Sequence, residues 1–151
     1  FECYEFHEAE KLFRAALDGH CKLLGERHLD TLKTKNNLAL LLEKIGRLGE
    51  AEPLFRAVYE GHKAQLGNRH PRALQSTLNL AGLLQARGLL SEAEALCREG
   101  LEGCRDQLGD ADPQTLQSAS TLARLLLEQG KMETAEALHK EVLEGRRATL
   151  G

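Results

Sequence analysis

Apolar residues in this chain follow a three- and four-residue rhythm, broken at regular places by glycine. Leu32, Leu38, Ala39, Leu41, Leu42 and Ile45 recur at the spacing that lines one face of an α-helix. Gly46 follows, a residue free to take a positive φ and close that helix. After a tight turn, Ala51, Leu54, Phe55, Val58 and Tyr59 form a second stripe, which ends at Leu66-Gly67. The unit predicted is a pair of helices.

That unit returns every 42 residues. Leu-Gly stands at Leu24-Gly25, Leu66-Gly67, Leu108-Gly109 and Leu150-Gly151, and a second glycine at Gly46, Gly88 and Gly130. The dipeptide Ala-Glu keeps the same interval at Ala9-Glu10, Ala51-Glu52, Ala93-Glu94 and Ala135-Glu136. Neither helix of a pair hides its stripe alone, so neighbouring pairs must stack to bury a continuous core. The divisions predicted are 1–25, the second helix of a truncated repeat, and full repeats over 26–67, 68–109 and 110–151. First helices are expected near 29–45, 71–87 and 113–129, and second helices near 7–23, 49–65, 91–107 and 133–149. The helix near 7–23 has no partner before it and should depend on packing against the next unit. The start without Met and the apolar surface this leaves point to a chain that continues upstream.

Helix starts carry their own marks. Pro71 and Pro113 fall at the first helical position, where a missing N–H costs nothing. Asp112 precedes Pro113 as an N-cap, and Ser91 with Glu94 has the spacing of a capping box. Within the second helices, Gly19, Gly61, Gly103 and Gly145 stand in register. A glycine inside a helix costs about 1 kcal/mol relative to alanine, so something should need the space. Close approach of the next unit's first helix is the expected reason, and a kink that sets curvature is the alternative.

Composition narrows the function more than the fold. The 151 residues include no Trp, 4% aromatics and 3 Pro, a balance suited to helices. Net charge is −3, with 20 Lys and Arg against 23 acids and no aromatic stacking platform, which argues against nucleic acid. No apolar run approaches the roughly 20 residues of a membrane span, and Phe1 to Phe6 is acidic and aromatic, unlike a signal peptide. Cys3, Cys21, Cys97 and Cys104 have irregular spacing and no CxxC, which suits reduced thiols and a cytoplasmic setting.

Phosphate-cradling glycine motifs and HExxH are absent. His20 and His62, like His28 and His70, stand one repeat apart and read as inherited copies, too far apart to share an ion. Cys97 and Cys104 share one helical face, where Cys97 should be a small buried residue. Glu50, Glu52, Arg56 and Glu60 fit a solvated outer face. No catalytic residue, metal or cofactor is expected.

Leu38-Ala39, Leu42, Ala51, Phe55 and Val58 carry the intervals of the tetratricopeptide consensus, repeated at Leu80-Ala81, Leu84, Ala93, Cys97 and Gly100. Leu122-Ala123, Leu126, Ala135, His139 and Val142 repeat them again. The usual repeat has 34 residues. The 42-residue form, with LG at its end, HP at the next start and NNLA in the first helix, resembles kinesin light chains and nephrocystin-3-like arrays. Similar arrays occur on signalling NTPases. HEAT and armadillo repeats share a period near 40, but are not expected to carry the EAE-x-L second helix. Two departures stand out. Lys35, Thr77 and Ala119 replace a consensus aromatic, and glycine holds positions 19, 61, 103 and 145 where kinesin light chains usually have Ile.

The resemblance implies an all-α, right-handed superhelical solenoid of antiparallel helix pairs whose first helices line a concave face. It also implies a non-catalytic module that binds a protein or an extended peptide. The groove asparagine falls on Asn37 and Asn79 and becomes Thr121 in the last repeat. An amide there can both donate to and accept from a peptide backbone. Lys33, Asn36, Gln75, Gln117 and Arg124 flank the same groove, and His20 and His62, with Cys104 and Arg146, hold a second-helix position that also faces it. Chaperone-binding relatives clamp a terminal carboxylate with Lys and Arg, where this chain has Gln117 and Thr121, so strong binding of EEVD-type tails is not expected. A neutral or weakly acidic peptide fits better. A sensor array beside a signalling NTPase and an architectural part of a large assembly are the other readings. The open ends of such an array can also stack end to end.

Overall fold

The computed structural model describes the backbone of residues 2–67 and 69–150 and the side chains of 4–67 and 69–148. The Cys3 side chain and Gly151 lie outside the described residues. Among the described residues there are seven helices and no strand. They are α1 (Glu2–Leu24), α2 (Leu29–Lys44), α3 (Leu48–Leu66), α4 (Pro71–Ala86), α5 (Leu90–Leu108), α6 (Pro113–Glu128) and α7 (Met132–Leu150). The architecture is the all-α helix-pair solenoid of tetratricopeptide type.

The helices form two compact units, Phe1–Gly67 and Asn68–Gly151. In the first, α1 packs on α2 and α2 on α3. Leu32, Leu38, Ala39, Leu42, Ala51, Phe55 and Val58 are buried there, which is the face the apolar rhythm marks. In the second, α4 packs on α5, α5 on α6 and α6 on α7, around Leu74, Leu80, Leu84, Cys97, Leu122, Leu126 and Ala135.

The turn inside each pair explains why so few residues suffice. Gly46 takes φ +86°, and the following Arg47 N–H donates to the Leu42 carbonyl at 2.8 Å. This backward bond satisfies a carbonyl that the ending helix would leave unpaired. Leu89 on Leu84 and Lys131 on Leu126 repeat the bond at 2.8 Å. The next helix starts directly after the turn, which leaves no room for a side-chain cap. Ser91 and Glu94 therefore do not form the expected capping box. The N-cap of α5 is Leu89, with no side-chain cap bond, and Ser91 lies inside the helix.

First helices are capped by side chains. Asp112 accepts from the Gln114 N–H at 2.9 Å, as its sequence predicts. His28 and His70 hold the same register, and their Nδ1 atoms accept from the Asp30 and Arg72 N–H groups at 3.1 Å. The repeated histidines are thus working caps, with an unprotonated ring nitrogen in the role of the Asp112 carboxylate.

The in-register glycines have a steric cause, although the neighbour is not the one expected. A β-carbon on Gly61 would lie 2.6 Å and 2.9 Å from the two methyls of Leu32. On Gly103 it would lie 2.4 Å from a Leu74 methyl, and on Gly145 2.6 Å from a Leu116 methyl. In each case a leucine side chain of the same pair's first helix fills the space, not the helix of the following unit. Gly19 has nothing within 4 Å of that position.

Candidate protein-interaction surface

On α2, Lys33 is exposed and Asn36 and Asn37 are half-buried, one helical turn beside the buried Leu38 and Ala39. His20 on α1 is half-buried. Thr34 Oγ1 donates to the Asp30 carbonyl at 3.2 Å, so its oxygen can accept from His20 Nδ1 at 2.9 Å. His62 on α3 is buried, with 8% of its surface exposed.

In the second unit, Gln75 is exposed and Asn79 half-buried on α4, and the Gln75 amide donates to Asn79 Oδ1 at 3.0 Å. On α6 the Thr121 hydroxyl donates to the Gln117 carbonyl at 3.0 Å. Gln117, Thr121 and Arg124 line one open cavity of about 640 Å³. Ser120 and Leu127 share it, as do His139 and Arg146 from α7. The sequence marks His139 only as a replaced consensus aromatic. Its register partners Phe55 and Cys97 are buried, while His139 is exposed.

Electrostatics around these faces reveal a role that the pattern of charges did not. Glu10, the Glu of the first Ala-Glu marker, is only 9% exposed. It accepts from Arg14 Nε at 2.8 Å on its own helix and from Arg47 in the turn between α2 and α3. Arg47 also binds Glu50. In the second unit, Glu94 holds the same register and accepts from Lys131 at 2.9 Å and Gln129 at 3.3 Å. The marker glutamate therefore ties a second helix to the turn of the following pair. The hydrogen bond from Arg14, opposed by burial and aided by Arg47, holds the Glu10 carboxyl below its ordinary 4.5. Burial alone raises Glu43.

A pH dependence follows. The contribution of Glu10 is present above about 4.5 and is lost as pH falls through its lower folded value. Glu43 acts in the opposite sense, since its charged form is disfavoured by folding. In urea melts between about pH 6 and about pH 3, Glu10→Gln should be less stable than wild type at the upper end, with the difference closing as pH falls. A constant difference across that range would rule out the pairing as its source.

The described residues contain no group of three or more His, Cys, Asp and Glu able to hold a metal ion. Cys21, Cys97 and Cys104 are unpaired thiols. Burial pushes the Cys97 thiol up to about 11 and also raises Cys104, whose Sγ lies 3.6 Å from Ser118 Oγ. Neither is an activated nucleophile. No described helix is long and apolar enough to cross a membrane.

Paired helices in strict register, with outward polar positions on the first helix of each pair, match the tetratricopeptide repeat family model over residues 5–64 and 72–148. The chain belongs to the tetratricopeptide repeat family. Its structural neighbours include repeat proteins of kinesin-light-chain type. Two Podosopora anserina structures of kinesin-light-chain type, with nearly identical TPR-like repeats, superpose with TM-scores of 0.90 and 0.85 at 26% and 27% identity. The match covers 99% and 95% of this chain and 71% and 68% of theirs. BtubC (BKLC) from P. vanneervenii shares the fold, with a TM-score of 0.89 at 20% identity over 97% of this chain. The chain spans 59% of that protein's length. No curated protein matches the sequence. Tetratricopeptide repeats are generally protein-interaction scaffolds and typically not enzymes.

Proposed function

We propose that this tetratricopeptide array is a cytoplasmic docking module, part of a scaffold or adaptor, that holds a peptide or protein segment against its first helices. One observation carries the reading. Register positions next to the buried Leu-Ala step stay outward and polar in every pair: Lys33 and Asn37, Gln75 and Asn79, Gln117 and Thr121. Amides and hydroxyls there suit recognition of peptide backbone more than of any one side chain. Lys33, Asn36 and Arg124 add polar and cationic edges, and His20, which hydrogen-bonds Thr34 of α2, and His62 are the second-helix candidates for the same face. Family arrays use this face as the concave one.

Affinity capture with wild type against the Asn37→Ala/Asn79→Ala double variant tests the proposal. Loss of the captured partner with an unchanged circular dichroism spectrum is expected. Unchanged capture would favour an architectural role through another face. A calorimetric titration with an EEVD-ending peptide should show no strong binding, because Gln117 and Thr121 carry no charge to clamp its carboxylate. Affinity near about 1 μM would refute that.

A further inference from the structure

One cavity occurs twice in the same repeat register. In the first unit it lies between α2 and α3, with a volume of about 330 Å³, lined by Leu32, Gly61 and Ala64. In the second it lies among α5, α6 and α7, about 550 Å³, with Leu116, Gly145 and Ala148 at those positions. The charged residues do not repeat. The first cavity sets Arg27 and Lys35 against Glu26 and Glu60. The second keeps both acids, as Asp110 and Glu144, but has Ala111 and Ala119 in the register of the two cations. It adds Glu141 and Arg105, and that guanidinium is engaged, with Glu141 at 2.5 Å and Asp110 at 3.6 Å. Glu144 has no ion-pair partner among the described residues. The floor differs too. Thr31 donates to the Gly25 carbonyl at 2.8 Å. Its counterpart Thr115 lines the second cavity, is 2% exposed, and has no hydrogen-bond partner for its hydroxyl among the described residues. The cavity lies on the side of α7 turned back toward α5, where Arg105 crosses to Glu141. Arg146, in register with the Cys104 that meets Ser118 of α6, is not part of it. The first pair forms its cavity with helices before and after it in the chain.

We propose that the cavity between α5 and α7 binds a lysine side chain of a partner protein, its ammonium shared by Thr115 Oγ1 and the Glu144 carboxylate. The first pair supplies the template, since half-buried Lys35 is the chain's own lysine in the corresponding cavity. A buried hydroxyl without a partner is costly, and an ammonium donor satisfies it while the acidic rim balances the charge. Leu116 and Val142 give the aliphatic stem its apolar contact. A single hydroxyl and separate carboxylates suit the three rotatable donors of an ammonium better than the planar fork of a guanidinium. An anionic side chain would instead meet three carboxylates against one engaged arginine. The occupant is a protein segment because the cavity is larger than one side chain, with room for its neighbours, and because arrays of this family bind proteins. The site goes beyond docking on the first-helix amides and uses neither Asn37 nor Asn79.

The probes are the blocked peptide acetyl-Ala-Ala-Lys-Ala-Ala-amide, its norleucine counterpart, and butylammonium as a free amine. NMR titration of the intact chain, read at the amides of Thr115 and Gly145, should show the lysine peptide binding about fivefold or more tightly than either, with the advantage shrinking in high salt. Glu144→Gln should weaken the lysine peptide by about fivefold, and so should Ala111→Arg, which restores the cation that the first pair has as Arg27. Glu144 and Ala111 are exposed, so both variants should melt near wild type. Thr115→Val should weaken binding by about threefold or more while melting at or above wild type, because a methyl replaces a hydroxyl that has no partner. Asn37→Ala/Asn79→Ala should leave binding of this peptide intact. Equal binding of the lysine and norleucine peptides, or full binding by Glu144→Gln, overturns the proposal. So does a Thr115→Val protein that melts lower yet binds as wild type, since the hydroxyl would then be structural. Butylammonium binding as tightly as the lysine peptide overturns the protein segment as occupant.

Discussion

Alanine at Gly61 should destabilise the chain by about 1–2 kcal/mol, although alanine is the better helix former by about 1 kcal/mol. Position 61 lies inside α3, where the added methyl would face both Leu32 methyls and, at 3.3 Å, the Leu32 Cγ. Both Leu32 methyls would have to move, and Leu32 is 1% exposed, with no solvent to retreat into. Gly103→Ala should cost less, because only one Leu74 methyl is closer than 3.5 Å. Gly145→Ala should cost least of the three, since Leu116 is 7% exposed and meets the new methyl at one point. Gly19→Ala should reverse sign and stabilise by up to about 1 kcal/mol, its surroundings being open. Leu32→Ala alone should cost about 2–4 kcal/mol as a cavity. Combined with Gly61→Ala it should cost less than the sum, because each change relieves the other. Urea midpoints for the six variants provide the test. A similar loss at all four glycines would mean that helix flexibility, not the leucine, is what glycine supplies.

Those glycines show how far the sequence can be read. Period, helix order and turn positions were visible because they depend on local spacing: Gly46 must leave the helix, and Pro71 and Pro113 must begin one. The capping histidines His28 and His70 were visible as repeated residues but not as caps, since imidazole is an uncommon substitute for the Asp112 carboxylate. The register Asp112–His70–His28 was the available clue. The glycine in α3 signalled a need for space, yet not whose. Its neighbour Leu32 lies across the helix pair, and pairing geometry fixes that partner. Glu10 was legible only as a repeat marker, and Glu94 as a marker and capping-box partner, for the same reason. Their partners Arg47 and Lys131 are distant in sequence and reach them only once the helices stack. The outward positions of Gln75, Asn79, Gln117 and Thr121 follow from helical periodicity, whereas the cavity that joins Arg124 to His139 and Arg146 requires α6 and α7 to be placed.

One register position carries three different physical situations, and mutation should separate them. Phe55, Cys97 and His139 all hold the place of the consensus aromatic in a second helix. Phe55 is 1% exposed and is among the largest fully buried side chains, so Phe55→Ala should cost about 3–5 kcal/mol. Cys97 is equally buried but much smaller, and the loss of one sulfur should cost about 1 kcal/mol. His139 stands open on α7, so His139→Ala should change stability by less than about 0.5 kcal/mol. A consensus reading would rank the three sites as equivalents. The structure ranks them by their surroundings: Phe55 on α3 is buried in the core of the first unit, α6 packs on α5, which carries Cys97, and His139 faces the open α6–α7 cavity. Chemical denaturation of the three variants decides between these rankings, and a large loss for His139→Ala would show that its face is covered in solution even without a partner.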